Sequence, residues 1–251
     1  MQMMDFTIRQ NKQIARDVYE MQLSTADQLS TVPGQFVNLA VEGHYLRRPI
    51  SVCDWDPIPL RGGAAEGRGG MLTLIYKVVG QGTKRLAAYE AGETINALTG
   101  LGNGYTLVPA ERPLLVGGGV GVPPLYYLAK ALVKAGQSPI ALLGFNTPED
   151  VFYKEEFERI CETVVVIGGY VTHAMPGLQY DALYTCGPEA MLRALYNQAK
   201  ALPPGHMQLS FERRMGCGFG ACMVCSCKTV TGYKRICKEG PILTKEEILW
   251  T

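Results

Sequence analysis

No stretch of this sequence approaches the roughly eighteen uninterrupted apolar residues that a membrane-crossing helix needs. The opening residues, MQMMDFTIRQNKQIARDVYE, hold no apolar core of the kind a secretory leader carries. An excess of charge is missing too: 24 Lys and Arg stand against 23 Asp and Glu, a formal net charge of +1. That removes the electrostatic ground for nucleic acid or an anionic membrane as partner. Internal repeats and low-complexity tracts are absent. These absences imply a cytoplasmic globular protein, and 251 residues are enough for more than one domain.

Cysteine, by contrast, is crowded. Of eight cysteines, Cys217, Cys222, Cys225 and Cys227 fall in the single stretch ERRMGCGFGACMVCSCK, residues 212–228, and Cys237 follows ten residues later. Cytoplasmic thiols are kept reduced, so such a cluster points to metal binding or redox chemistry rather than to disulfides. The spacing Cys217-x4-Cys222-x2-Cys225, then Cys237, is the plant-type [2Fe–2S] arrangement. Three thiolates on one short segment require a tightly wrapped backbone, and Gly216, Gly218, Gly220 and Ala221 permit it. Zinc is the competing reading, but structural zinc sites usually show two short-spaced pairs, and here three ligands share one loop. Cys227, two positions after Cys225, would face away from the others in an extended segment and is the spare.

The first hundred residues read as short strands between turn signals: FTIRQNKQI, VYEMQLS, GQFVNLAV, RRPISVCDW and MLTLIYKVV. That pattern predicts a small barrel or sandwich. PIPLRGGAAEGRGG, residues 57–70, reads as a surface hairpin insertion. After about residue 110 the texture changes to RPLLVGGG (strand), PPLYYLAKALVKAG (helix), PIALLGF (strand), VFYKEEFERI (helix), TVVVIGG and ALYTCG (strands) and PEAMLRALYNQAKAL (helix). Alternating strands and helices predict a parallel α/β sheet. TKEEILW reads as a last short helix. The expected domains are 1–100, 101–208 and 209–251.

VGGGVGVPPL, residues 116–125, is a glycine-rich strand-to-helix turn that can bring amides to a phosphate. Gly119 and Gly121 match the first two glycines of the dinucleotide fingerprint, while Pro124 stands where the third belongs; a tight turn without ligand stays open. GFNTPEDVF offers no cation for a 2′-phosphate, which favours NAD over NADP. Arg48 in RRPIS could pair with a pyrophosphate, and Gly82–Thr83 in VVGQGTKRL open a helix that would favour an anion. Taken singly, each reads first as an ordinary turn and a solvated arginine, and only their order along the chain tips the balance.

In this order, Arg-Pro-Ile-Ser, Gly-Thr, the GGGxGxxP turn and Cys-Gly-Pro at 186–188 resemble the ferredoxin–NAD(P) reductase superfamily. With the C-terminal cysteine motif, residues from about 5 to 250 resemble the electron-transfer subunits of two-subunit, NAD-dependent (B-type) dihydroorotate dehydrogenases. The resemblance implies an N-terminal antiparallel β-barrel for FAD, a parallel α/β domain for NAD and a small C-terminal [2Fe–2S] domain. It places Arg48, Pro49, Ile50 and Ser51 along the FAD, with Arg48 at its phosphates. Ile75, Tyr76 and Lys77 would give backbone contacts to the flavin, and Gly82 and Thr83 would hold the pyrophosphate. It makes TGLGNGY, residues 99–105, the loop between the two larger domains. Cys186 would lie near the nicotinamide, a buried strand-end cysteine being the simpler alternative. Cys217, Cys222, Cys225 and Cys237 would ligate the cluster.

The resemblance further implies an oxidoreductase subunit with no acid–base residue of its own. Its partner would be a catalytic FMN-containing dihydroorotate dehydrogenase subunit, two copies of each chain assembling in pyrimidine biosynthesis. Two alternatives remain at this level: a reductase subunit of another redox complex (hydrogenase, sulfide-using or bifurcating), or a zinc-stapled nucleotide-binding or interaction module.

Overall fold

The computed structural model describes residues 1–57 and 69–250; most of the glycine-rich stretch 57–70, expected as a surface hairpin, lies outside the described residues. Gln2–Ala15 (β1) and Val18–Thr25 (β2) form a long hairpin turning at Asp17, whose φ is +58°. Phe36–Leu39 (β3), Arg48–Pro57 (β4), Gly70–Lys77 (β5) and Thr94–Leu101 (β6) complete a closed antiparallel barrel in the order β1-β2-β5-β4-β3-β6. Its interior is filled by Phe6, Ile8, Met21, Leu23, Leu72 and Leu74, all fully buried, each contributing about 1.5–3 kcal/mol of transfer free energy. The sequence reading assigned no strand to β6. Its alternation is nonetheless regular, with Ile95, Ala97, Thr99 and Leu101 buried and their neighbours less so. Gln81–Ala87 (α1) follows β5.

The second unit comprises Pro113–Gly118 (β7), Pro123–Lys134 (α2), Ile140–Phe145 (β8), Lys154–Glu158 (α3), Glu162–Ile167 (β9), Ala182–Cys186 (β10), Glu189–Gln198 (α4) and Met207–Ser210 (β11). Strands β11, β10, β7, β8 and β9 lie side by side and parallel in that order. The order reverses between β7 and β10, and the carboxyl ends of strands at such a switch point are the usual ligand position in these sheets. The expected helix in VFYKEEFERI is only α3, because Tyr153 takes the left-handed conformation (φ +61°) immediately before it.

The last segment forms a two-stranded hairpin, Ser226–Thr229 (β12) with Gly232–Arg235 (β13), and then returns as Ile242–Thr244 (β14), antiparallel to β11. The helix expected in TKEEILW does not form. Thr244 ends β14, Glu247 Oε2 accepts the Thr244 N–H at 2.9 Å, and Ile248 bridges Thr229. Tertiary pairing at the sheet edge overrides local helix propensity here.

Specific contacts fasten barrel to sheet. Lys130 on α2 bridges Asp54 (2.6 Å) and Asp56 (2.8 Å) of β4. Tyr153 donates to the buried Glu20 carboxylate at 2.9 Å, and Tyr105, after β6, donates to the Thr185 carbonyl at 3.1 Å. Among the described residues no helix is long and apolar enough to cross a membrane.

Candidate functional site

The cysteine loop leaves β11 and winds back beneath the barrel. Gly218 and Gly220 take φ of +79° and +93°, which an L side chain would resist, so the sharp wrapping depends on them. Amide groups consequently aim at sulfur: Ala221 and Cys222 N–H donate to Cys217 Sγ at 3.2 and 3.4 Å, and Cys217 N–H donates to Cys222 Sγ at 3.3 Å. Cys225 and Cys237 face each other with sulfurs 3.2 Å apart, and Cys237 N–H donates to Cys225 Sγ at 3.4 Å. The thiols differ in electrostatics. Burial opposes ionisation of Cys217, but the amides of Cys222, Phe219 and Ala221 outweigh it and hold its pKa down to about 6. Burial, reinforced by Cys225, pushes Cys237 up to about 12.

Among the described residues no three His, Cys, Asp or Glu close around a single ion. The four thiols instead form two pairs, Cys217 with Cys222 and Cys225 with Cys237. Two pairs suit a binuclear cluster, with two thiolates for each iron, and the sulfur-directed amides suit an anionic iron–sulfur unit. The donor set fits the group. Cys222 is exposed, whereas Cys225 and Cys237 are 2% exposed, so one pair meets the surface and the other the core. Cys227 lies apart on β12, half-buried, its thiol pushed up by burial.

Arg235 grips the loop from behind, donating to Gly220 O at 2.7 Å while paired with Glu239. In front lies an open cleft of about 400 Å³ between loop and barrel, with Tyr45, Leu46, Arg47 and Leu98 on one wall and Cys217, Phe219 and Cys222 on the other. Phe219, Tyr45 and Leu46 expose apolar surface at it, and Met223 and Val224 of the same loop are exposed as well.

On the barrel, Arg48, Pro49, Ile50 and Ser51 occupy the start of β4 and pair with Leu39 to Phe36 of β3. Arg48 reaches across to α1: a Cβ built at Gly82 would sit 2.0 Å from Arg48 Nε. The guanidinium also donates to the Leu46 carbonyl. Thr83 Oγ1 accepts from the Val79 and Gly80 N–H groups at 2.9 and 3.1 Å, which fixes the turn into α1. A cation and a helix start thus share one spot, a cradle fit for a phosphate and kept open only by glycine. Ile75, Tyr76 and Lys77 end β5. Ile75 and Tyr76 are buried, and the Tyr76 hydroxyl donates inward to Asn11 at 2.9 Å, so a ligand meets Tyr76 only through its backbone.

At the sheet crevice, Cys186 ends β10 directly beside Gly117 of β7. Gly119 (φ +53°) and Gly121 form the turn into α2, and a Cβ at Gly121 would lie 2.1 Å from the Cys186 carbonyl oxygen. The GGGVG turn and Cys-Gly-Pro, 65 positions apart, therefore touch (Gly121 to Cys186). Cys186 is pushed up to about 12 by burial and stays a neutral thiol at pH 7. After β8, Asp150 pairs with Arg16 of the barrel at 2.9 Å.

Sequence reasoning missed Asn38, whose side chain hydrogen-bonds the cysteine loop, and Arg47, which lines the cleft opposite it. The only signal for Asn38 was a single amide inside the apolar run FVNLAV.

A family model described as the iron-sulfur cluster binding domain of dihydroorotate dehydrogenase B matches residues 212–249. The chain is 42% identical over 262 residues to the "Dihydroorotate dehydrogenase B (NAD(+)), electron transfer subunit" of Geobacillus kaustophilus, covering 97% of each. It is 39% identical to the protein of the same name from Fusobacterium nucleatum, covering 99% of each. Among solved structures, the NADH-dependent reduced ferredoxin-NADP oxidoreductase, described for flavin-based electron bifurcation, superposes with a TM-score of 0.83 at 28% identity, over 98% of this chain and 90% of that one. Phthalate dioxygenase reductase shares the fold, with a TM-score of 0.69 at 16% identity over 91% and 87%.

Proposed function

The chain belongs to the family of dihydroorotate dehydrogenase B electron-transfer subunits, and we propose that it relays electrons between a catalytic FMN-containing subunit and NAD through a [2Fe–2S] cluster and FAD. The observation that carries this reading is the pairing of four thiols in a loop lodged directly against the barrel. When bound, the flavin supplies the exchange between a two-electron hydride and single electrons. The chain's own residues bind, orient and exclude water.

Cys217, Cys222, Cys225 and Cys237 would hold the cluster, as two pairs of thiolates. Arg48 and the Gly82–Thr83 amides take the FAD pyrophosphate, Pro49, Ile50 and Ser51 line the flavin, and Ile75, Tyr76 and Lys77 present backbone to it. Gly119 and Gly121 admit the NAD phosphates, and Cys186 stands by the nicotinamide as a neutral thiol. Residues 1–100, 101–208 and 209–251 serve as flavin, nucleotide and cluster units, with β14 of the last contributing to the sheet of the second. Dihydroorotate is oxidised on the partner, and its electrons pass through this chain to NAD in pyrimidine biosynthesis. Two copies of each chain assemble, and eight cysteines with no disulfide among them suit a reducing cytoplasm.

Service in a bifurcating complex is the second reading, favoured by the TM-score of 0.83. Identity of 28% there against 42% to the dihydroorotate dehydrogenase subunit decides for the first. The test is a dihydroorotate–NAD assay on separate and mixed subunits. The isolated chain should oxidise NADH with artificial dyes but leave dihydroorotate untouched, and the catalytic subunit should restore NAD-linked turnover. Full dihydroorotate activity from this chain alone would overturn the reading.

A further inference from the structure

Asn38 lies on β3, 1% exposed, in register with Pro49 of β4. Its Nδ2 donates to the Cys217 carbonyl oxygen at 3.2 Å, across 179 positions of sequence. Its Oδ1 is buried and has no hydrogen-bond partner among the described residues. Buried amides are normally satisfied, and an unpaired acceptor carries a penalty that an apolar side chain of the same size avoids. Packing alone therefore does not account for an amide at this place.

The loop is shaped around that amide. Gly218 holds φ at +79°, and a Cβ there would lie 2.3 Å from Asn38 Nδ2. Behind it, Arg47 Nη1 donates to the Asn38 carbonyl at 3.2 Å and Nη2 to Asn96 Oδ1 at 2.7 Å, while Asn96 donates to Asp5 at 2.7 Å. Strands β3, β6 and β1 thus brace the backbone that carries Asn38. One side chain spans the strand beside Arg48–Ser51 and the first cysteine of the loop.

We propose that Asn38 is a positioning residue for the cluster: its amide holds the Cys217 carbonyl against the flavin barrel, sets the separation of the two redox sites and biases the cluster's potential. This rests on Cys217 being a cluster ligand. Iron and sulfide analysis of the unsubstituted chain tests that assignment separately, so failure of the one is distinguishable from failure of the other.

The experiment compares Asn38→Leu and Asn38→Asp with the unsubstituted chain in the complex. Asn38→Leu removes the donor. Asn38→Asp keeps the shape, and so guards against a folding defect in the first variant, while replacing the donor by an anionic acceptor beside the Cys217 carbonyl. A lost donor and an added negative charge both favour the oxidised cluster. The oxidised-to-reduced ratio at fixed potential should rise about three- to tenfold, a fall of roughly 30–60 mV for one electron, with Asn38→Asp shifted more. The EPR g values of the reduced cluster should move, while the initial reduction of flavin by NADH stays unchanged. An unchanged midpoint and EPR spectrum in Asn38→Asp would overturn the proposal.

Discussion

The guanidinium of Arg48 lies against the Cα of Gly82 so closely that a methyl group there would sit 2.0 Å from Nε. Arg48 opens β4 and Gly82 lies in the first turn of α1, 34 positions apart in sequence, yet the two meet at one spot whose charge and amides would suit an anion.

Arg48→Ala should therefore lose a charge-assisted contact of roughly 1.5–3 kcal/mol, a ten- to hundredfold loss of FAD affinity. Gly82→Ala should weaken FAD as well, by displacing the same arginine. The double variant should be little worse than the worse single, since both act on one contact. Fluorimetric FAD titration measures all three. Additive losses would separate the two residues, and extraction of FMN rather than FAD would remove the reason for the cradle.

Cys217→Ser, Cys222→Ser, Cys225→Ser and Cys237→Ser should each lose most of the roughly two irons per chain that a [2Fe–2S] centre holds. Cys227→Ser should keep them, because its thiol sits apart on β12. Iron analysis and the visible spectrum decide. Loss of iron in Cys227→Ser with retention in Cys237→Ser would reverse the assignment of the fourth ligand.

Gly121→Ala would drive a Cβ to within 2.1 Å of the Cys186 carbonyl oxygen, a contact that backbone must relieve. The turn and the end of β10 should part, and kcat/KM for NADH with an artificial dye should fall about ten- to hundredfold, a loss of roughly 1.4–2.7 kcal/mol of transition-state stabilisation. Flavin and iron contents should be unaffected. An unaltered kcat/KM would show that this crevice does not serve the nucleotide.

Phe219 is 42% exposed at the rim of the cleft beside Cys217 and Cys222. If the catalytic subunit docks over this cleft, Phe219→Glu puts a charge on surface it would desolvate, and assembly should weaken about tenfold or more. NADH oxidation by dyes should persist. Analytical ultracentrifugation of the mixed subunits reads the outcome, and unchanged assembly would move the interface elsewhere.

What was legible in the sequence follows from how local each signal is. The cysteine loop could be read because three of its thiols lie within nine residues and their spacing reflects local wrapping. The α/β alternation was legible for a similar reason: each strand and helix carries its own period. Strand β6 was missed although its alternation is regular, because it runs into Gly100 and Gly102, which read as a linker. The TKEEILW segment misled because its helix-forming residues are overruled by a pairing with β11 more than thirty positions away. Asn38 showed only as an amide inside an apolar run, and its role was not legible, since its partner carbonyl is brought to it by closure of the barrel and return of the chain.

The return of β14 to β11 makes the cysteine loop an insertion between two hydrogen-bonded neighbours of one sheet, anchored at both ends. Many electron carriers ride on a tether and must swing between donor and acceptor. Here both ends of the carrier are sewn into the same fabric, so its travel is closed off by topology. The relay is a fixed wire: its internal step should be indifferent to solvent viscosity, and whatever gating exists must come from the nucleotide entering or the partner docking.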